Sequence, residues 1–259
     1  MQTIILCGGM GARLREETEY KPKPMVEIGG KPILWHIMKH YARYGHKEFI
    51  LALGYKGDVI RDFFLNFYKY NSDFTVDLAN NGNVEIHNSS VREDWTITLV
   101  ETGSKSMTGY RVKQCSRYIT GDRFMVTYGD AVSNVDLDKL IDFHIQQNTV
   151  GTVTGVYPPS RFGDLQVDEK LVIRFKEKIK DPELQAPING GYFVFNKEII
   201  DYIDNDITCD LEKAPMNRLV EEKQLSIYKH TDFWQCMDTY RDYQLLEQLW
   251  QESPPWKIW

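Results

Sequence analysis

The chain has 259 residues, enough to bury a large core as a single domain. It is 42% hydrophobic and 26% charged, which is typical of a soluble globular protein. Its formal net charge of −6 argues against broad nucleic-acid binding, because proteins that bind the phosphate backbone carry a basic surface. No run of about 18 apolar residues occurs in the sequence, so no membrane span is predicted.

The cysteines and the first residues of the chain indicate the cellular compartment of the protein. Cys7, Cys115, Cys209 and Cys236 show no CxxC spacing, which indicates a reducing compartment without a disulfide framework. No basic segment precedes the apolar first residues, and glycines follow them at once, which argues against a signal peptide. We therefore expect a cytoplasmic protein.

Strand and helix patterns alternate along much of the chain. Apolar, partly β-branched runs predict strands, and amphipathic runs that begin at proline or end at glycine predict helices. The predicted strands are 2–7, 48–54, 123–130 and 151–157, and the predicted helices are 32–45, 57–68 and 137–148. Strands that alternate with helices predict an α/β fold with a Rossmann-like, mostly parallel sheet flanked by helices.

Two stretches depart from this alternation. Residues 70–100 are polar and rich in asparagine, which predicts turns and short antiparallel strands, and residues 161–196 are predicted to be β-rich. We expect one continuous core with a smaller β-rich portion closing over it. Further helices are predicted at about 197–204, 212–223 and 240–250, and the tail WQESPPWKIW is expected to dock on its own domain or on a neighbouring subunit.

A glycine-rich segment, CGGMGARL, follows the first predicted strand. Glycines at such a turn allow backbone N–H groups to approach a bound anion closely. The dinucleotide fingerprint fails here because Leu14 stands at the third glycine position, and the Walker A motif fails because Pro32 follows Gly30 and Lys31. The glycines alone leave open both an anion-binding loop and a plain tight turn.

Basic residues beside this segment favour anion binding. Arg13, Lys21 and Lys23 follow the glycines, and the prolines at 22 and 24 keep the segment extended. Arginine forks across phosphate oxygens, whereas lysine supplies a point charge. This combination suits a triphosphate attacked at its α-phosphorus, because fixed cations stabilise the negative charge of the transition state.

The chain resembles the sugar-1-phosphate nucleotidyltransferase family in GGMGARL and in KPKPMVEIGGKPILWHIMKHY. Within that family it most resembles the glucose-1-phosphate cytidylyltransferases, through these blocks: GYKGDVI, TGSKSMTGYRVK, TYGD, PPSRFGDL, INGGYFVFN, FWQCMDTYRD and PPWKIW. The resemblance implies a GT-A-like fold and a homo-oligomer, often a hexamer in this branch. It implies that glucose 1-phosphate attacks CTP directly, which gives CDP-glucose for polysaccharide biosynthesis and releases pyrophosphate.

The same resemblance implies a role for each matching residue. Arg13 and Lys23 would be catalytic, binding the phosphates and stabilising the transition state, while Asp130 and Asp238 would hold Mg²⁺, which prefers oxygen ligands. The nucleotide side would comprise Leu6, Gly8, Gly9, Gly11, Thr108, Gly109 and Arg111. The acceptor side would comprise Tyr128, Gly163, Glu177, Lys178 and Asn189. A nucleotide-binding core of about 1–157 would precede an acceptor-binding and C-terminal helical part of about 158–259.

Several residues depart from the family pattern: Ala12, Tyr110, Ala131, Asp164 and Ile179. Several of them cluster on the acceptor side, so a different sugar phosphate or another phosphorylated metabolite stays open as the acceptor. UTP and dTTP stay open as donors, because a few hydrogen bonds to the pyrimidine edge decide between the bases. A non-catalytic nucleotide-binding relative is a further alternative, which retention of the implied catalytic and metal-binding residues disfavours.

His36 and His40 are four residues apart on a predicted helix, a spacing that can hold zinc. Ile37, rather than glutamate, follows His36, and the sequence offers no evident third ligand. We therefore interpret both histidines as part of a helix face near an interface rather than as zinc ligands.

Overall fold

The computed structural model describes residues 1–11, 14–87, 92–158, 164–168, 171–176 and 186–259. Four predicted site residues lie outside this range, namely Arg13, Gly163, Glu177 and Lys178. The strands in chain order are β1 (Thr3–Leu6), β2 (Glu27–Ile28), β3 (Lys31–Pro32), β4 (Glu48–Leu53), β5 (Asp73–Asp77), β6 (Asn83–His87), β7 (Thr96–Glu101), β8 (Arg123–Tyr128), β9 (Ala131–Ser133), β10 (Gly151–Val156), β11 (Asp164–Asp168), β12 (Leu171–Lys176), β13 (Ile188–Asn196), β14 (Leu225–His230) and β15 (Trp234–Cys236). The helices are α1 (Arg15–Thr18), α2 (Ile33–Arg43), α3 (Gly57–Leu65), α4 (Phe67–Tyr70), α5 (Thr108–Cys115), α6 (Leu137–Gln147), α7 (Ile199–Tyr202), α8 (Ala214–Glu221) and α9 (Tyr240–Glu252).

A seven-stranded sheet forms the centre of the fold, in the order β14-β10-β13-β8-β1-β4-β7. β1 pairs in parallel with β4 and with β8, while β13 runs antiparallel to both of its neighbours. The predicted α/β fold with a mostly parallel sheet is therefore confirmed. Within the described residues, no helix combines the length and the apolar character that crossing a membrane requires.

The core lies on both faces of this sheet. Ile5 and Leu51 belong to one buried cluster with residues of α2, and Ile4 and Ile50 belong to a second cluster that includes Val112 of α5. Successive residues of a strand point to opposite faces, so an apolar run such as TIIL fills both clusters. The strand and helix predictions for residues 2–68 follow these elements, except that the helix predicted at 57–68 divides at Asn66 into α3 and α4.

The two β-rich stretches are only partly as predicted. An antiparallel hairpin of β5 and β6 confirms short strands after residue 70, but β7 is a parallel edge strand of the central sheet. β13, expected in the smaller β-rich portion, instead lies between β8 and β10 in that sheet. β14 has no predicted counterpart. An apolar run such as YFVFN predicts a strand but carries no information on its partners.

The tryptophan-rich tail docks on its own chain, as one of the two alternatives predicted. Trp256 is buried, stacks on Phe233 with ring centroids 5.6 Å apart, and donates a 3.4 Å hydrogen bond to Nδ1 of His36. His36 and His40 are both buried and donate from Nε2 to backbone carbonyls at 2.8 and 2.7 Å. Both side chains therefore lie in the core of the chain, and their predicted position near an interface stays a prediction.

Candidate active site

A cavity of about 360 Å³ opens where β1 and β8 end. In open α/β sheets, ligands bind at the carboxyl ends of the strands, where loops and helix N-termini converge. The segment after β1 supplies the glycines, and α5 begins at the opposite wall. The cavity is lined by Leu6, Cys7, Gly8, Gly9, Gly11, Lys23, Pro24, Ser106, Met107, Thr108, Arg111, Tyr128, Gly129, Asp130 and Asp238.

Lys23 lies between two carboxylates in this cavity. Its Nζ donates hydrogen bonds of 2.7 Å to Asp130 Oδ2 and 2.6 Å to Asp238 Oδ1. The Lys23 side chain is only 10% exposed, because the 3₁₀ turn Lys23–Met25 packs against the core. The two aspartates, far apart in sequence, therefore converge on one buried cation.

Local pairing explains how Asp238 reaches Asp130. β15 pairs antiparallel with β9, so Cys236 lies opposite Ala131, and the N–H of Met237 donates a 2.8 Å hydrogen bond to the carbonyl of Asp130. Beyond Asp238, the side chain of Asp242 accepts hydrogen bonds from the backbone N–H groups of Asp238 and Thr239. The capping box at the start of α9 thus holds the second aspartate in place.

The charge state of Lys23 follows from its partners. Burial lowers the pKa of this ammonium, but the negative charge of Asp130 and the hydrogen bonds that Lys23 donates to both carboxylates outweigh burial and raise the pKa above its ordinary value. Lys23 is therefore fully protonated at neutral pH. It presents a fixed positive charge at the floor of the cavity.

Arg111 packs against the glycine segment and donates a hydrogen bond to it. Its guanidinium donates hydrogen bonds to the carbonyls of Leu53 and Gly8, each at 3.0 Å, and to the hydroxyl of Thr102 at 2.5 Å. A methyl group at Gly8 would lie 2.1 Å from Nη1 of Arg111, so this close approach requires glycine. Arg111, predicted on the nucleotide side, lines the cavity and joins the ends of β1, β4 and β7.

Two walls of the cavity are linked through a carboxyl group that belongs to none of the sequence motifs. Glu212 accepts a hydrogen bond from the Tyr128 hydroxyl and a 2.6 Å hydrogen bond from the Thr108 hydroxyl. Asn189 donates from Nδ2 to the Tyr128 oxygen at 3.0 Å. No motif spacing signals Glu212, which lies 84 residues beyond Tyr128.

Most of the predicted site residues that the structure describes lie together. Ten of them line the cavity: Leu6, Gly8, Gly9, Gly11, Lys23, Thr108, Arg111, Tyr128, Asp130 and Asp238. Asn189 contacts the lining through Tyr128. Gly109 faces away from the cavity, because a methyl group there would meet the carbonyl of Cys209 at 2.9 Å. Ser106 and Met107 also line the cavity but were not predicted as site residues. Both belong to the segment TGSKSMTGYRVK, which carries part of the family resemblance.

This chain belongs to the nucleotidyl transferase family, whose model matches residues 2–243. It is 48% identical over 261 residues to a glucose-1-phosphate cytidylyltransferase of Salmonella typhi, with 100% of both chains covered. The protein of the same name from Salmonella typhimurium is also 48% identical over the full length of both chains. Among solved structures, HddC from Yersinia pseudotuberculosis has a TM-score of 0.65 and 25% identity, covering 96% of this chain and 99% of that chain. The predicted family is confirmed, and the protein is a nucleotidyltransferase.

Proposed function

We propose that this protein transfers the cytidylyl group of CTP to α-D-glucose 1-phosphate, which gives CDP-glucose and pyrophosphate. Full-length identity of 48% to glucose-1-phosphate cytidylyltransferases supports both substrates. The observation that carries the proposal is the buried Lys23 ammonium between Asp130 and Asp238, below the glycine segment. A cation and two carboxylates at the end of a strand suit a triphosphate whose charge is partly neutralised by metal.

The two carboxylates fit a divalent metal. Their oxygens approach one nitrogen at 2.7 and 2.6 Å, so both point at the same small volume. Within the described ranges, no group of three or more histidine, cysteine, aspartate or glutamate side chains could hold a metal ion. Mg²⁺ is commonly held by one or two carboxylates with phosphate oxygens and water. We propose that Asp130 and Asp238 would hold Mg²⁺, which would neutralise phosphate charge when bound.

The remaining residues bind and orient the two substrates in this proposal. An acceptor phosphate is largely ionised at neutral pH, so its oxygen attacks without a base from the protein. Lys23 stabilises the charge that develops on the phosphoryl oxygens. Thr108 and the glycine segment face the nucleotide, and Tyr128 with Asn189 faces the acceptor. The assigned roles of Arg13, Gly163, Glu177 and Lys178 stay predictions from the sequence.

We also propose, from the family resemblance, how the chain divides into two binding parts and how it assembles. Residues 1–157 would bind the nucleotide, and 158–259 would bind the acceptor, although strands from both parts share the central sheet. We further propose a cytoplasmic homo-oligomer, of hexameric form, that serves polysaccharide biosynthesis.

The test is pyrophosphate release with purified protein, Mg²⁺, CTP and glucose 1-phosphate, with the sugar nucleotide identified by mass spectrometry. Parallel reactions replace CTP by UTP or dTTP, and replace glucose 1-phosphate by other sugar phosphates. We expect CTP with glucose 1-phosphate to give the highest kcat/KM. Faster turnover with another acceptor or another donor would overturn that half of the proposal, and CTP binding without turnover on any acceptor would indicate a non-catalytic relative.

A further inference from the structure

Glu212 links two walls of the cavity that are distant in sequence. Thr108 begins α5, and Tyr128 is the last residue of β8. Glu212 lies in the segment before α8 and uses one oxygen for each of them: Oε2 accepts from the Thr108 hydroxyl at 2.6 Å, and Oε1 accepts from the Tyr128 hydroxyl. Thr108 and Tyr128 line the cavity, whereas Glu212 lies behind them.

The link is held from several sides. The backbone N–H of Leu211 donates to the Thr108 hydroxyl at 2.9 Å, and Asp210 Oδ1 lies 3.1 Å from the same oxygen. On the other side, Asn189 donates to the Tyr128 hydroxyl at 3.0 Å and accepts from the N–H of Gly191 at 2.9 Å. A chain of hydrogen bonds therefore runs from the start of α5 to the start of β13.

The carboxyl groups of Glu212 and Asp210 are neighbours, and each affects the pKa of the other. Burial and the contact with Asp210 raise the pKa of Glu212. The hydrogen bond from Glu212, helped by Lys213 at 3.2 Å, lowers the pKa of Asp210 to about 2. Of the two carboxyl groups, Glu212 therefore holds a proton more readily than Asp210.

We propose that Glu212 is a positioning residue that holds Thr108 and Tyr128 in one fixed arrangement, so that the nucleotide and acceptor sides of the cavity are ordered together. This inference rests on the proposed function, which places Thr108 on the nucleotide side and Tyr128 on the acceptor side. Preordering side chains reduces the entropy that substrate binding must otherwise lose. Glu212 would therefore strengthen the binding of both substrates without contacting either of them.

The test compares Glu212→Ala with Glu212→Gln. Alanine removes both links, so we expect the Kd for CTP and the KM for glucose 1-phosphate each to rise about 5- to 10-fold, the loss of roughly one net hydrogen bond on each side. Because Lys23, Asp130 and Asp238 are untouched, kcat should change by less than about twofold. Glutamine keeps an oxygen that accepts from Tyr128 and places an amide group beside Thr108 in place of the second carboxyl oxygen, so it should restore both constants to within about twofold of wild type.

A matched control lies on the surface. Tyr202 donates a 2.6 Å hydrogen bond to Glu222, the same pair of groups at an exposed position remote from the cavity. Glu222→Ala should leave both substrate constants unchanged, and its melting temperature shows what losing such a pair does to stability. The Kd for CTP is measured by calorimetry without acceptor. Thr108→Val removes the hydrogen bond between Thr108 and Glu212 but keeps the one between Tyr128 and Glu212, so it should raise the Kd for CTP and leave the KM for glucose 1-phosphate unchanged.

Distinct outcomes overturn this inference. If Glu212→Ala matches Glu222→Ala in both constants, Glu212 does not position the cavity walls. If Glu212→Ala lowers only kcat and the melting temperature, its role is general stability. If Glu212→Gln is as impaired as alanine, a charged carboxylate rather than a neutral link is required. Failure of the wild-type protein to turn over CTP with any phosphate acceptor would instead overturn the proposed function.

Discussion

The Nζ of Lys23 lies 2.7 Å from Oδ2 of Asp130, although 107 residues separate them in the sequence. The contact joins the segment that follows the glycines to the end of β8, and it includes Asp238 at 2.6 Å on the other side. Three charged groups thus share a small, partly buried volume at the end of the sheet. Removing any one of them is expected to affect catalysis before it affects the fold.

Lys23→Met should lower kcat/KM for CTP by at least about 100-fold, the loss found when one preorganised donor to a developing oxyanion is removed. The variant leaves Asp130 and Asp238 facing each other without their cation. Lys47→Met is the control, because Lys47 pairs with Asp94 at 2.6 Å at an exposed position. Steady-state pyrophosphate release measures both variants, and near-normal rates for Lys23→Met would contradict its assigned role.

Asp238→Asn should raise the Mg²⁺ concentration that gives half-maximal activity by at least about tenfold. An amide is a weaker ligand than a carboxylate, and even changes around metal ligands cost 10- to 100-fold in affinity. The control is Asp232→Asn, which changes an exposed carboxylate hydrogen-bonded to Asn134 at 2.9 Å. A Mg²⁺ titration of the initial rate checks this, and an unchanged midpoint for Asp238→Asn would place the metal elsewhere.

Gly8→Ala and Gly9→Ala should differ in stability although the two positions are adjacent. The new methyl group at residue 8 would lie 2.1 Å from Nη1 of Arg111, whereas nothing lies within 4 Å of a methyl group at residue 9. Moving the Arg111 guanidinium breaks buried hydrogen bonds at about 1–3 kcal/mol. We expect Gly8→Ala to melt several degrees lower and Gly9→Ala to melt within about 1–2 °C of wild type, measured without ligand. Equal melting temperatures for the two variants would show that the Arg111 guanidinium moves without loss of stability.

Acid should destabilise the protein through His36. Burial lowers the pKa of His36 to about 4, despite hydrogen bonds to the backbone that raise it. Below about pH 6.5 the unfolded chain therefore binds a proton that the folded chain excludes, so the free energy of unfolding falls as the pH falls. The physical cause is the burial of the ring, which penalises the charged imidazolium, and the neutral ring accepts a 3.4 Å hydrogen bond from Trp256 at Nδ1.

His36→Gln isolates that contribution, because glutamine retains a donor and an acceptor but does not titrate. The loss of unfolding free energy between pH 7 and pH 5 should be smaller than in wild type by about 2 kcal/mol. Urea unfolding at both pH values measures it, and the other histidines cancel in the comparison. An equal pH effect in the two proteins would mean that His36 is protonated in the folded state.

Trp256→Ala should destabilise the protein by about 3–5 kcal/mol, the range for truncating a buried aromatic side chain. Trp256 is 1% exposed and packs against Phe233 and His36. The exposed Gln251 provides the control as Gln251→Ala, which should have little effect. Denaturant unfolding compares the two variants. A Trp256→Ala protein as stable as the control would show that the tail contributes no stability in solution.

Local sequence patterns determined the parts of this protein that depend on nearby residues. The TIIL run and the glycines after it predicted a strand and a close-approach loop, and the structure has both. The extended conformation predicted around Lys23 is wrong, because Lys23–Met25 forms a 3₁₀ turn that begins after the extended Pro22. Asp130 was predictable as a polar residue directly after a buried strand. Backbone preferences and hydrophobic periodicity act over a few residues, so these features can be read without knowing the fold.

Long-range pairing decided the rest. Nothing near Asp238 indicates that β15 will pair with β9 and bring its carboxylate to Lys23, and nothing in YFVFN indicates that β13 will enter the central sheet between β8 and β10. Glu212 acquires its contacts only because the segment before α8 packs against α5 and β8. Such contacts depend on the total burial and hydrogen bonding of the folded chain, which no short window contains. The sequence therefore determined the elements and the chemistry of the site, and the tertiary structure decided which side chains act together.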